Sequence, residues 1–241
     1  MPLPSLYVVH ETHQVAGREA ERFWELLRDG WMQPPDDVRL LWALEQAHGT
    51  GPAYTFITLL GASSLNACAA LDERVKSGDL REWWTELDSL RHSATAKVLV
   101  PTAFSPMRDL DVASVPMPGD ADHGPDLPLF MEDTAWPHPG KLGAYLERAG
   151  SLYVETLRKA AEYKMDILEL VAAFTPMLGA GPEREVVLWQ RIKRPEFLQP
   201  LFAREVPPEH QGPGTWMHDA LEVRDRWESR LLRVAPWSPL S

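Results

Sequence analysis

The sequence predicts an α+β protein made of two ferredoxin-like β-α-β-β-α-β repeats that close into one barrel within a single chain. Three observations lead there. The stretch Lys97–Met107, KVLVPTAFSPM, is echoed by Arg230–Leu240, RLLRVAPWSPL. Each opens on a basic residue and an apolar run, and closes on an aromatic residue, Ser-Pro and an apolar residue. Ser105 and Ser238 stand 133 positions apart, and Trp83 and Trp216 keep the same spacing. The order of strand-like and helix-like stretches before each closure is also the same. A sheet with helices on one face leaves the other face bare, and two tethered copies can cover each other.

The elements of the first repeat, residues 1–108, follow from local chemistry. Leu6–Thr12 is short and rich in Tyr and Val, as strands are. After Gly17, Ala20, Phe23, Leu26 and Leu27 recur at helical spacing, and Pro34-Pro35 ends that region. Val38–Leu44 is an apolar run of strand length, and Tyr54–Leu60 is a second, β-branched and aromatic one. Gly49-Thr50-Gly51-Pro52 between them is turn chemistry. Ser63-Ser64 can cap a helix over Leu65–Val75. A second helical piece runs from Leu80 to about Ser93, and Lys97–Val100 is the last strand.

Residues 109–126 are rich in Asp, Pro and Gly, lack periodicity, and are expected to be a linker. The second repeat, residues 127–241, begins with a strand at Leu129–Thr134, which matches Leu6–Glu11 at an offset of 123. A helix is expected over Lys141–Tyr163, a strand over Ile167–Phe174, a turn at Gly179–Pro182 and a strand over Glu185–Ile192. A helical region broken by prolines, Pro195–Glu228, leads to the last strand at Arg230.

Bulk properties exclude several classes. The net charge of −11 argues against a phosphate backbone or an anionic membrane as the partner, because both need clustered Lys and Arg. A single cysteine, Cys68, excludes an internal disulfide and a cysteine-cage metal site. No apolar run approaches membrane-span length, and the first residues lack the basic and apolar regions of a signal peptide. A cytoplasmic protein is expected. There is no GxGxxG, P-loop or GxSxG motif, and His10-Glu11-Thr12-His13 is not HExxH. On a strand, positions 10 and 13 point to opposite faces, so they do not chelate one metal.

Both copies resemble NIPSNAP domains. The likeness rests on the basic-strand-aromatic-Ser-Pro closures, on the turn Pro139-Gly140-Lys141 after Phe130, and on Val186–Trp189 preceded by Gly181-Pro182. The first copy departs from the turn pattern with Ala16-Gly17-Arg18. The resemblance implies a dimeric α+β barrel, normally built from two chains, and it implies no single chemistry.

On the first strand, Val8, His10 and Thr12 share one face by two-residue alternation. The resemblance implies that polar residues of this strand face the barrel interior. At the 123 offset, Asp133 is the counterpart of His10. His10 is therefore the candidate acid–base residue and Asp133 its partner, with Thr12, Trp42 and Trp189 as candidate pocket residues. His10→Ala is expected to abolish turnover with little effect on melting. The function expected is cofactor-independent acid–base chemistry, of cyclase or isomerase type, on an apolar or aromatic small molecule inside the barrel. The alternatives are a non-catalytic small-molecule-binding or interaction protein, and a cofactor-free or haem monooxygenase of the related barrel type. No metal, cofactor, nucleic acid or membrane is expected. The chain should be a monomer with an internal pseudo-dimer, with association through other surfaces left open.

Overall fold

A computed structural model describes residues 4–35, 37–119, 127–163, 167–178, 184–198 and 212–241. Eight strands form it: β1 (Tyr7–Val15), β2 (Val38–Gln46), β3 (Thr55–Ala62), β4 (Arg91–Pro101), β5 (Leu129–Trp136), β6 (Leu168–Leu178), β7 (Val186–Ile192) and β8 (Arg226–Val234). They close in the order β1-β3-β2-β8-β5-β7-β6-β4, all neighbours antiparallel. Each repeat contributes four consecutive staves, so the two bare sheet faces cover each other, as the doubled order predicts. The helices lie outside: α1 (Ala20–Gly30), α2 (Leu65–Lys76) and α3 (Arg81–Ser89) on the first sheet, α4 (Leu142–Arg148) and α5 (Val154–Glu162) on the second. The short helix α6 (Trp216–Asp219) also packs on the second.

Local chemistry accounts for most boundaries. Ser64 caps α2 by accepting from the Ala67 amide at 3.1 Å. The buried face of α1 is Phe23, Leu26 and Leu27. The helix expected over Lys141–Tyr163 is continuous but contains a π turn at Ala149–Tyr153. Gly140 adopts φ +76°, which its turn requires, whereas Gly17 has no such φ. Gly17 is instead needed for space, because a Cβ there would lie 2.5 Å from the Tyr54 ring. Strands β4 and β8 begin earlier than the sequence suggests, at Arg91 and Arg226. The turn expected at Gly179–Pro182 lies outside the described residues.

The repeated closures have a clear structural task. The ladder of β2 with β3 skips at Leu41, and that of β6 with β7 skips at Val171, 130 positions later. Each bulge perturbs the strand at a seam between the repeats. The closure of the other repeat completes the hydrogen bonding there. Ser238 Oγ accepts from the Ala43 amide at 3.1 Å, and Ser105 Oγ accepts from the Ala173 amide at 3.0 Å. The adjacent backbone adds Ala235 N to Ala43 O and Thr102 N to Ala173 O, both 2.8 Å. The aromatics cross over too: Trp237 meets Trp24, and Phe104 packs on the helices of the second repeat. Ser105→Ala and Ser238→Ala should each cost about 1–3 kcal/mol, since each strips a partner from a buried amide. They lie on opposite seams, so urea denaturation of the double variant should show additive losses.

Residues 109–119 are not a free tether. Val112 and Val115 are buried with Met107 in the barrel core, and Leu110 packs against it. The aspartates and prolines of this stretch read as linker because a plug inserted at a barrel end has no periodicity to recognise.

The lumen is filled rather than hollow. Trp42, Trp189 and Phe130 contact one another with centroids 5.8–6.0 Å apart, surrounded by Leu44, Leu59, Phe174 and Leu232. Eight strands enclose a space that side chains can fill.

Candidate functional site

Strands β1 and β5 stand on opposite walls of the barrel. Their inward faces carry Val8, His10 and Thr12 on β1, and Phe130, Glu132 and Thr134 on β5. The registers show that these are equivalent positions. His10 pairs with Leu59 and Lys97, and Glu132 pairs with Trp189 and Arg230. Leu59 and Trp189 are 130 apart, and Lys97 and Arg230 are 133 apart, matching the offsets of their own strands. The counterpart of His10 is therefore Glu132, at an offset of 122. The sequence offset of 123 was one residue out, and on a strand one residue exchanges the two faces.

His10 and Glu132 meet across the lumen, Nε2 to Oε2 at 3.0 Å, with 3% and 2% of each residue exposed. An ionised Glu132 can only accept, so a neutral His10 bonded to it carries its proton on Nε2. Burial acts to raise the Glu132 carboxyl, but the charge and hydrogen bond of His10, then Arg230 and Lys97, hold it below the usual carboxylate range. The His10 ring stands edge-on to Trp189, centroids 6.4 Å apart.

The pair floors a polar cleft of about 220 Å³ at one barrel end. Its walls repeat the pseudo-symmetry: Thr12 and Thr134 from the first strands, Lys97 and Arg230 from the last. Lys97 Nζ donates to Glu185 Oε1 at 2.8 Å, and Arg230 Nε to Glu228 Oε1 at 3.4 Å. Thr12 thus borders the cleft with His10. Trp42 and Trp189 do not border it; they are packed in the core cluster, 1% and 0% exposed. Their indole N–H groups have no hydrogen-bond partner among the described residues.

Asp133 lies on the other side of β5, under the helices, and does not meet His10. Ser229 Oγ donates to its Oδ1 at 2.5 Å and Gln190 Nε2 to its Oδ2 at 2.8 Å. Tyr153 in turn donates to Gln190 Oε1. Burial pushes the Asp133 carboxyl up, and the Ser229 and Gln190 hydrogen bonds partly offset this. Glu132 was missed on sequence because the register, not the residue type, decides which of two adjacent carboxylates faces inward.

A related chain lies under the helices of the first repeat. Arg91 Nη1 donates to His13 Nδ1 at 2.6 Å, so the His13 proton sits on Nε2 and is donated to Thr58 Oγ1 at 3.1 Å. Thr58 donates onward to Glu11 Oε2 at 3.3 Å. Burial, then Arg91, pushes His13 down to about 3. A His depressed in the folded state destabilises the protein as pH falls below its unfolded value of about 6.5, and the loss grows until the folded value is reached. At pH 5 that is about 2 kcal/mol. Urea melts at pH 7 and pH 5 should show this drop, and it should shrink in His13→Asn.

Among the described residues, no group of three or more His, Cys, Asp or Glu could hold a metal ion. A haem also fits poorly beside His10, whose Nε2 is held by Glu132 and whose cleft of about 220 Å³ is small for a porphyrin. No described helix is long and apolar enough to cross a membrane.

No protein-family profile and no curated protein matches this sequence. Solved structures do. An anthrone oxidase-like protein superposes with a TM-score of 0.59 at 10% identity, covering 97% of this chain and 94% of that chain. A chlorite dismutase variant from Candidatus Nitrospira defluvii gives 0.54 at 11% identity, covering 98% and 93%. A NIPSNAP family protein from Agrobacterium tumefaciens is 23% identical over 43% of this chain and 99% of that chain, with a TM-score of 0.37. The full-length likenesses show that this chain has the dimeric α+β barrel fold.

Proposed function

We propose that the protein is a cofactor-independent acid–base enzyme that moves a proton on a small molecule bound in the cleft over His10. The buried His10–Glu132 pair carries this reading. Two equivalent positions of a duplicated fold hold a base and a carboxylate, facing each other across a pseudo-twofold axis. A symmetric homodimer would place two identical side chains there.

With Nε2–H donated to Glu132, Nδ1 is the nitrogen left to act as base. It takes a proton from a carbon next to a carbonyl, and the electron pair moves onto the carbonyl oxygen. Glu132, held ionised, stabilises the imidazolium that forms. Lys97, Arg230 and the hydroxyls of Thr12 and Thr134 surround the place where negative charge develops. Returning the proton to another carbon completes an isomerisation; attack of the enolate carbon on a second carbonyl of the same substrate, with the proton returned to the alkoxide so formed, completes a ring closure, in both cases without oxidant or metal. The polar walls favour, among the apolar or aromatic small molecules expected from sequence, one that carries hydroxyl or carbonyl groups.

The test is proton exchange in D2O, followed by NMR on a panel of 2-oxo acids, 3-oxo esters and hydroxyaryl ketones. The protein should speed exchange of carbonyl-adjacent protons in at least one compound, and His10→Gln should lose about 100-fold or more of that rate. No exchange across the panel, or equal rates in the variant, returns the protein to the binding class.

A further inference from the structure

We propose that the cleft takes a compact, uncharged 2-hydroxyketone or 2-hydroxyaldehyde and moves a proton between its two oxygen-bearing carbons. This rests on the acid–base reading of His10. Among the described residues, each ionisable side chain that borders the cleft is already paired. Lys97 faces Glu185 at 2.8 Å, Arg230 faces Glu228 at 3.4 Å and His10 faces Glu132 at 3.0 Å. A ligand carboxylate would have to displace one of these partners, so an uncharged ligand fits better. The hydroxyls are in the opposite condition. Thr12, Thr95 and Thr134 border the cleft, and their side chains hold no hydrogen bond to any described residue. Thr12 and Thr95 are partners across β1 and β4, and Thr134 stands on the opposite wall. A ligand that covers them with apolar surface leaves them unpaired, whereas hydroxyl and carbonyl oxygens satisfy them.

The pseudo-twofold arrangement selects a compound with two oxygens. Thr12 and Lys97 on one side of the His10–Glu132 pair are matched by Thr134 and Arg230 on the other. Donors repeated on two sides suit an intermediate with an oxygen on each of two neighbouring carbons, and an enediolate is such an intermediate. His10 Nδ1 takes the proton from the carbon that carries the hydroxyl. The C–H electron pair forms the carbon–carbon double bond, and the carbonyl π pair moves onto its oxygen. The hydroxyl proton then passes to that oxygen through a threonine hydroxyl, which both donates and accepts. The imidazolium returns its proton to the former carbonyl carbon, so C=O and C–OH have exchanged places and no electron acceptor is needed. The cleft of about 220 Å³ is smaller than the roughly 300–1,000 Å³ of sites for drug-sized ligands, which favours this short shift over closure of a long chain.

Four probes test this by calorimetric titration and by proton exchange in D2O: 2-hydroxy-1-phenylethanone, its methyl ether, hydroxyacetone and 3-hydroxypyruvate. Exchange is read relative to the buffer rate of each compound. The phenyl hydroxyketone should bind, and exchange, about tenfold or more better than its ether, and hydroxyacetone should exceed anionic 3-hydroxypyruvate by a similar factor. Thr12→Val and Thr134→Val should each reduce the preference for hydroxyl over ether to about twofold or less, and Thr12→Ser and Thr134→Ser should keep it. Thr95 is exposed, so Thr95→Val gives a partial loss without a folding question. An ether handled as well as the alcohol, 3-hydroxypyruvate handled as well as hydroxyacetone, a preference that survives both Val variants, or no binding by any probe overturns the substrate class. Exchange of other carbonyl compounds without these preferences would do so while leaving the acid–base reading standing. Hydroxyl-dependent binding with no exchange in any compound would keep the ligand class and sink the acid–base reading.

Discussion

His10→Ala should lower stability by about 3 kcal/mol, in addition to removing the proposed base. The sequence alone suggested an interior-facing histidine whose loss would leave melting nearly unchanged. In the fold it is 3% exposed and bonded to an equally buried carboxylate, so its removal strands Glu132. Lys97 and Arg230 remain near Glu132, which keeps the loss toward the lower part of the range for broken buried pairs. The pH dependence has a definite sign. The Glu132 carboxyl is depressed in the folded state, so its contribution is present above the unfolded carboxylate value and is lost as pH falls through the folded value of about 2. The deficit of His10→Ala should therefore be full near pH 5 and close as pH approaches 2. A double-mutant cycle with Glu132→Gln, read by urea denaturation, gives the coupling directly. A coupling near zero would show that the pair contributes nothing to holding the two walls together.

Trp189→Ala should be as damaging, at about 3–5 kcal/mol, because it empties the centre of the barrel. Trp189 is fully buried, contacts Trp42 and Phe130, and stands edge-on to His10. Its N–H has no hydrogen-bond partner among the described residues, so Trp189→Phe removes a donor unpaired there along with part of the volume. That variant should cost no more than about 2 kcal/mol. The contrast between the two, measured by thermal and chemical denaturation, separates volume from polarity. If the Phe variant is as unstable as the Ala variant, the indole N–H has a partner in solution, such as a trapped water.

The two halves of the barrel are alike at their seams and unlike at their axis. At each seam one serine of a closure bonds to one alanine amide of the other half. At the axis His10 opposes Glu132. A single chain can carry different residues on the two sides of a pseudo-twofold site, which a symmetric homodimer cannot.

The sequence by itself determined the order of elements and the closing of two sheets on each other. Those follow from hydrophobic periodicity, turn residues and the repeated closures, all of which are local or compare like with like. It also placed His10 and Thr12 on one strand face. It did not determine which residue opposes His10. Matching Leu6 to Leu129 by similarity leaves an error of one residue, which is harmless for locating a strand and decisive for facing. The hydrogen-bond registers with the neighbouring strands remove that error, because Lys97 and Arg230 must occupy equivalent rungs. Only the closed barrel could select Glu132 over Asp133 and bury Trp42 and Trp189 as filling. Only it could show why Ser-Pro recurs, since each serine's partner lies in the other repeat.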